Sequence, residues 1–365
     1  MKFETAKLKD ISIIKTGKLD SNAALPNGKY PFFTCDPQTL NIDVWAYDTE
    51  AVLLAGNNAS GNYTAKYYNG KFNAYQRTYI IESVDKNKLN TRYLCYAMNL
   101  KLSLLKTMSS GSTTKFLTIK MLHGLDIPFP SIEKQNHISQ ILSNYDNLIE
   151  NNQKQIKLLE EAAQRIYKEW FVDLHFPGYE STTITDGVPE GWIKKNLSDV
   201  AILKAGGDRP KNFSKYKTDK YNVPVYSNGA ESEGLYGYTD KASVEEQCIT
   251  VSARGNVGYT CLRRTPFVPI VRLIAITPKT INVEYLYFYL KNMNFESNGA
   301  AQQQITVPMI KDKVVLIPPT SLLNAFTKVL SPMFEQIDNI RYRIENTTEA
   351  RDRLLPKLMS GEIEV

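Results

Sequence analysis

The sequence predicts an α+β chain: two mostly-β globular modules in tandem repeat, the first followed by one long helix and the second by another. Three observations predict it. The segment Leu8-Lys9-Asp10-Ile11-Ser12-Ile13-Ile14-Lys15-Thr16-Gly17 returns 189 positions later as Leu197-Ser198-Asp199-Val200-Ala201-Ile202-Leu203-Lys204-Ala205-Gly206. Each copy leads into short β-branched or aromatic runs separated by Gly, Asn and Pro clusters, the pattern of strands and turns. Each module then gives way to apolar residues at heptad spacing, the pattern of a long packed helix.

The first module spans residues 1–127. Its runs Ala51–Leu54 and Tyr79–Ile81 read as strands, and Tyr93–Leu105 as a short helix. Residues 128–175 form the first long helix. Its seam is Ile138, Leu142, Tyr145, Ile149, Asn152, Ile156, Leu159, Ala163, Ile166 and Trp170, with steps that alternate between four and three. Asn152 is the one polar residue in it. Two readings stay open there: a buried amide that fixes register at a cost in stability, or a side chain facing solvent. Residues 176–191 are a polar linker.

The second module spans 192–316, with strand-like runs Cys248–Val251 and Val271–Ile276 and a short helix over Glu284–Met293. Residues 317–365 form the second long helix, on a seam of Phe326, Leu330, Met333, Ile337, Ile340, Ile344, Thr347, Arg351, Leu354 and Leu358. That seam is weaker, because Thr347 and Arg351 are polar, and Pro332 and Pro356 are expected to kink or delimit the helix. The repeat extends through the modules. Phe72–Ile81 lies over Phe267–Ile276, which puts Arg77 over Arg272 within strand-like runs. Tyr93-Leu94 lies over Tyr285-Leu286, and Thr118-Ile119 over Thr306-Val307. The period is too long for a solenoid.

Composition narrows the function classes. The chain has 365 residues, 42% hydrophobic and 22% charged, which excludes disorder and collagen-like repetition. Its apolar stretches are far shorter than the roughly 20 residues a membrane span needs. The first residues carry no apolar signal region, and the four cysteines, Cys35, Cys95, Cys248 and Cys261, are far apart. The expectation is a cytoplasmic protein with reduced thiols and no membrane association. The net charge of +6 is unevenly spread: residues 1–127 carry +6, 128–191 carry −5, 192–310 carry +5, and 311–365 are neutral. A polyanion partner for the two basic blocks and ordinary basic surface account for this equally well.

Catalytic motifs are absent. No Lys has Asp or Glu two residues before it, the arrangement a restriction-type nuclease uses to hold a metal. There is no Gly-x-Gly cofactor loop, and the only Pro-Pro is Pro318-Pro319, in an Ile-Pro-Pro-Thr context unlike a methyltransferase site. Gly56 and Gly61 have the P-loop glycine spacing, but Asn62-Tyr63 replaces the Lys-Ser/Thr that would follow, so the segment reads as a turn. His123, His137 and His175 have no metal-ligand spacing, so no metal is expected. Gly255-Asn256-Val257-Gly258 reads as a turn closing two strands and presenting Arg254.

The sequence resembles a specificity subunit of a type I restriction–modification system. The resemblance covers nearly the whole chain. It rests on the two-module repeat, on Ile127-Pro-Phe-Pro-Ser-Ile-Glu-Lys-Gln135 running into the heptads, and on Trp170-Phe-Val-Asp. It also rests on Val188-Pro-Glu-Gly-Trp192 and on Leu354-Leu-Pro-Lys-Leu-Met-Ser-Gly-Glu-Ile363. Thr320-Ser-Leu-Leu-Asn324 departs from the first copy, lacking its Glu-Lys-Gln. The resemblance implies two target-recognition domains, each reading one half of a bipartite, asymmetric DNA site. It implies that the long helices pack as an antiparallel coiled coil that sets the gap. It further implies double-stranded DNA, two methyltransferase (modification) subunits and, for cleavage, restriction subunits as partners. The chain itself would be non-catalytic and hold no cofactor, with S-adenosylmethionine, ATP and Mg bound by those subunits.

Candidate DNA contacts follow from side-chain chemistry, cations for phosphates and amides or guanidinium forks for base edges. In the first module they are Asn57, Asn58, Asn62, Lys66 and Lys115. In the second they are Arg209, Lys211, Lys215, Asn228, Arg254, Arg263, Arg264, Gln302, Gln303 and Gln304. Ser109–Lys115 and Asn298–Gln304 occupy matching places before a helix. Candidate contacts to the methyltransferase subunits are Leu148, Leu158, Glu160 and Glu161 on the first helix. The alternative is a coiled-coil scaffold bearing two β-rich protein- or glycan-binding modules; salt-dependent DNA binding separates the two.

Overall fold

The computed structural model describes residues 2–58, 61–109, 115–295 and 304–365. The chain forms two compact units, Met1–Gln153 with Tyr342–Val365, and Lys154–Arg341. Their boundaries fall inside both long helices rather than at the junctions between module and helix.

In the first unit a six-stranded sheet runs in the order Ser12–Thr16, Thr78–Ser83, Tyr47–Ala55, Ala65–Ala74, Tyr30–Phe33, Leu40–Ile42. All neighbours are antiparallel except Tyr30–Phe33 beside Ala65–Ala74. Residues along a strand face opposite sides in turn. Val52, Leu54 and Ile81 therefore join one buried cluster, while Ala51, Leu53 and Ile80 join another with Phe33 and Phe72. A sheet covered on both faces explains why Ala51–Ala55 is apolar throughout. The helix Thr91–Met108 packs on the first of these faces. Asn90 caps it, its Oδ1 accepting from the Tyr93 N–H at 2.9 Å. The start of the first long helix, Ile132–Tyr167, and the end of the second, Thr320–Ser360, complete this core through Ile138, Leu142, Leu358 and Met359. The pairs Lys134–Glu364 (2.7 Å) and Asp146–Arg351 (2.8 Å) show that the two segments run antiparallel here.

In the second unit a four-stranded antiparallel sheet is ordered Ala201–Ala205, Ile274–Pro278, Cys248–Val251, Thr260–Arg263. A separate three-stranded sheet holds Leu235–Thr239, Val223–Tyr226 and Val268–Pro269. The four-stranded sheet, the helix Val283–Lys291 and the two long-helix segments share one core. Phe171 is its aromatic centre, with ring centroids 4.8 Å from both Tyr285 and Phe326 and 5.9 Å from Trp192. Trp170-Phe-Val-Asp and Val188-Pro-Glu-Gly-Trp192 are thus core-packing motifs. Arg341–Glu160 (3.3 Å) and the Trp170–Phe326 ring contact give the antiparallel sense here also.

The duplication holds in detail. Glu4–Lys7 pairs with Asp126–Phe129 as Ile193–Asn196 pairs with Val314–Ile317. The Tyr93 hydroxyl donates to the Pro128 carbonyl, and that of Tyr285 to the Leu316 carbonyl. At Gln135 the copies part. Its buried amide donates to the carbonyls of Lys88 and Pro130 and accepts the Asn90 N–H. At the matching place the second unit has Leu323, 2% exposed, so an apolar contact replaces a polar clamp.

Three expectations change. Pro332 and Pro356 do not delimit the second long helix, which is continuous from Thr320 to Ser360. Both prolines are exposed, as are Lys328 and Asp352, whose carbonyls lose their partners. Water can serve those carbonyls, while Leu330, Phe334, Leu358 and Met359 keep the flanking turns packed. The strand expected over Val271–Ile276 begins only at Ile274, because Val271 and Arg272 have φ of 51° and 63°. Arg77 and Arg272 consequently sit in exposed turns, not inside strands. Asn152 is buried at 2% exposure and its Nδ2 finds no partner among the described residues, which excludes the solvent-facing reading.

Those two turns explain the glycine that ends each repeated segment. A Cβ on Gly17 would lie 2.0 Å from the Ala74 carbonyl oxygen, and one on Gly206 2.7 Å from that of Pro269. Gly17→Ala and Gly206→Ala should each lower unfolding free energy by about 1–3 kcal/mol, because backbone has to move. Gly207→Ala, which meets nothing within 4 Å, should change it by less than about 0.5 kcal/mol. Urea denaturation of the three variants checks this.

Candidate nucleic-acid interface

In the first unit the Asn57–Asn58 strand pairs antiparallel with Lys115–Phe116, setting Asn58 opposite Lys115. Asn58 Oδ1 accepts the Asn62 N–H at 3.2 Å, and Asn62 Oδ1 accepts from Lys106 Nζ at 2.7 Å. Gly61, at φ 71°, keeps this turn tight; a Cβ there would lie 3.3 Å from Lys106 Cγ and 3.4 Å from Lys115 Cγ. The fold therefore gathers Asn58, Asn62 and Lys115 and adds Lys106, which sequence reasoning missed. A lysine in the last turn of a helix looks like ordinary dipole complementation, so only the tertiary contact reveals it. Asn57 is half-buried, and its Oδ1 is buried without a partner among the described residues. Lys66 does not join the group. It donates to the Asp36 carbonyl at 3.4 Å and to Thr39 Oγ1 at 3.1 Å, and burial pulls its pKa down.

In the second unit two cations flank a pair of aromatic rings. Arg209 stands over the Phe213 ring at 4.9 Å, Phe213 and Tyr236 have centroids 5.5 Å apart, and Lys215 stands 5.5 Å over Tyr236. Lys215 Nζ also donates to the Tyr236 carbonyl at 3.1 Å. Arg209, Lys211 and Lys215 are exposed. Such a ladder offers positive charge on rigid supports, suited to a phosphate backbone. Arg254 is exposed at the tip of the turn between Cys248–Val251 and Thr260–Arg263, donating to Gln304 Oε1 at 2.9 and 3.2 Å. Gln302 and Gln303 lie outside the described residues, as does most of each matched loop, Ser109–Lys115 and Asn298–Gln304.

Three second-unit candidates are built into the fold. Asn228 donates to the Val271 carbonyl and accepts the Ala253 N–H, both at 2.7 Å, clamping two loops together. Arg263 is 4% exposed, stacked 3.7 Å over Tyr226 and bonded to Thr250 and Glu233, so it is a core cation. Arg264 pairs with Asp338 at 2.9 Å.

Among the candidate partner contacts, Leu148 and Leu158 are 48% and 64% exposed on the first long helix. Glu161 is exposed and 3.9 Å from Lys157. Glu160 is half-buried and engaged by Arg341, which also bonds Glu233 at 2.6 Å. Glu160 thus has a partner on the second long helix, and Glu161 one a turn back on its own helix. No sequence pattern links Glu233 to Arg341, which lie 108 residues apart.

Burial is the leading cause that raises the pKa of all four thiols, those of Cys95 and Cys248 to about 12. None is activated as a nucleophile. Among the described residues no His, Cys, Asp and Glu group could hold a metal ion, and no helix is long and apolar enough to cross a membrane.

A family profile described as the type I restriction modification DNA specificity domain matches residues 1–161 and 189–350. The chain is 34% identical over 415 residues to the specificity subunit of the type I restriction enzyme EcoDI of Escherichia coli, covering 99% of this chain and 88% of that one. It is 29% identical over 307 residues to the specificity subunit of the type I restriction enzyme MjaIX of Methanocaldococcus jannaschii, covering 77% and 71%. The crystal structure of a type I restriction–modification S subunit from M. genitalium superposes with a TM-score of 0.60 at 17% identity, over 98% of this chain and 96% of that one. That likeness fixes the fold.

The geometry separates surface cations from structural ones. Arg209→Ala and Lys215→Ala should each weaken binding to duplex DNA of any sequence, and each should reduce the slope of log affinity against log salt by about one. Arg263→Ala should leave that slope unchanged and lower unfolding free energy by about 1–3 kcal/mol, since it strands the buried Thr250 hydroxyl. Salt-dependent anisotropy and denaturation on the same preparations distinguish the outcomes.

Proposed function

The chain belongs to the type I restriction–modification DNA specificity family, and we propose that it is the sequence-reading subunit of such a complex. Each module recognises one half of a bipartite, asymmetric DNA site, and the two long helices set the gap between the halves. The observation that carries this reading is a kept frame with unlike surfaces. Gly17 and Gly206, and Tyr93 and Tyr285, do the same structural work in the two modules. The polar surfaces on that frame differ. The first has an amide–lysine cluster around Gly61, and the second a cation–aromatic ladder and the exposed Arg254. Two unlike readers on one frame suit two unlike half-sites, whereas a homodimer reads a palindrome.

The chemistry belongs to partners. The chain's own contribution is to bind, orient and space. Two modification subunits supply S-adenosylmethionine-dependent methyl transfer, and restriction subunits supply ATP- and Mg-dependent cleavage. Leu148 in the first unit, and Leu158 with Glu161 one turn on in the second, are each exposed on the first long helix, which supports docking of one modification subunit on each half.

The purified chain supplied with S-adenosylmethionine should transfer no methyl groups to DNA, and methylation should appear when modification subunits are added. Leu148→Asp with Leu158→Asp should reduce co-elution with those subunits and leave thermal stability within a few degrees of the parent. Methyl transfer by the isolated chain would overturn the division of labour, and unchanged co-elution would overturn the docking face.

A further inference from the structure

Arg341 has no role in the reading above, yet it ties three elements of the second unit together. One of its terminal nitrogens, Nη2, lies 2.6 Å from Glu233 Oε1 and 3.3 Å from Glu160 Oε1. Glu160 is on the first long helix, Arg341 on the second, and Glu233 in the Glu231–Gly234 turn of the recognition module. Arg263 holds Glu233 from the other side. Its Nη2 donates to the Glu233 carbonyl at 2.6 Å, and its Nη1 lies 3.3 Å from Oε2.

The turn so held is unusual. Ser232 and Glu233 are successive non-glycine residues in the left-handed region, at φ 47° and 53°. Such backbone persists only where its surroundings over-determine it. The next residues, Gly234 and Leu235, lead directly to Tyr236, the second of the two rings in the Arg209–Phe213–Tyr236–Lys215 ladder. Apolar packing against the helices is non-directional and tolerates small rotations of a loop. Charge-assisted hydrogen bonds to carboxylates are directional and fix one setting.

We propose that Arg341 is a positioning residue for recognition of the second half-site: through Glu233 it fixes the turn that sets the cation–aromatic ladder on the helix pair. The inference rests on the DNA-reading function proposed above. The first unit supplies a control. There Arg351 bridges to Asp146 at 2.8 Å, and Asp146 accepts from the Tyr96 hydroxyl at 2.5 Å. That bridge likewise joins the two long helices to a module, but it ends on a regular helix and holds no turn.

The test uses the full chain assembled with its modification subunits, on a library of split sites with varied halves and gaps. Arg341→Met should lower discrimination within the second half by about tenfold while leaving the first half as in the parent. Arg341→Lys should restore most of it, because one nitrogen makes both contacts. Glu233→Gln, nearly isosteric, should act in the same direction as Arg341→Met and serves if that variant fails to fold. Arg351→Met should leave discrimination in the second half unchanged. Equal loss in both halves for Arg341→Met and Glu233→Gln, or loss of the same kind in Arg351→Met, would reduce Arg341 to a structural residue and overturn the proposal. A parent complex that shows no split-site preference at all would overturn the DNA reading instead.

Discussion

Neither module can finish its hydrophobic core alone. In the first unit the sheet and the helix Thr91–Met108 bury their shared face only when Ile138 and Leu142 close it, with Leu358 and Met359 from the far end of the chain. In the second unit Ala163, Phe326, Leu330, Phe334 and Ile337 do the same. Fully burying a Leu, Ile or Phe side chain stabilises by about 1.5–3 kcal/mol, so these residues are a large share of a typical domain's net stability. The long helices are therefore part of each folded unit rather than rods to which finished domains are attached. This is why the compact units divide at Gln153/Lys154 and Arg341/Tyr342, inside the helices.

The constraint separates what the repeat must keep from what it is free to vary. Kept are the places where backbone approaches backbone or where a polar group closes the frame: the terminal glycines of the repeated segment and the tyrosines that hold the strand leading into each long helix. Varied are the surfaces on the frame and even a buried clamp, where Gln135 in one copy becomes Leu323 in the other. A satisfied buried amide and a packed leucine are both stable solutions; only a half-satisfied amide would be costly. Asn152 carries that cost, its Nδ2 buried without a partner among the described residues. Its place in an otherwise apolar seam fits a residue that trades stability for register.

Much of the architecture was legible because it is periodic. The repeat, the heptad seams and the short helices all leave regular spacings, and nearly every seam residue of the first helix is buried or half-buried as its spacing requires. The surface was less legible because its fate depends on long-range partners. Arg263 and Arg264 are adjacent cations, yet one is buried against Tyr226 and Glu233 and the other pairs with Asp338 on a distant helix. Asn228 looked like a base-reading amide and proved to be a loop clamp. Glu160 and Glu161 looked alike, and only the position of Arg341 tells them apart. Pro332 and Pro356 misled for the converse reason: a local rule against helix continuation was overridden by packing on the opposite face.

The central claim is that two unlike readers on one repeated frame recognise two unlike halves of one DNA site. Mapping methylated adenines across the genome of a cell that carries this chain with its modification subunits tests it most directly. The account predicts one motif in two specified parts of different sequence, separated by a fixed number of unspecified bases. Loss of the chain should erase every such mark. A continuous motif, a palindromic motif, or a methylation pattern that survives loss of the chain would contradict it.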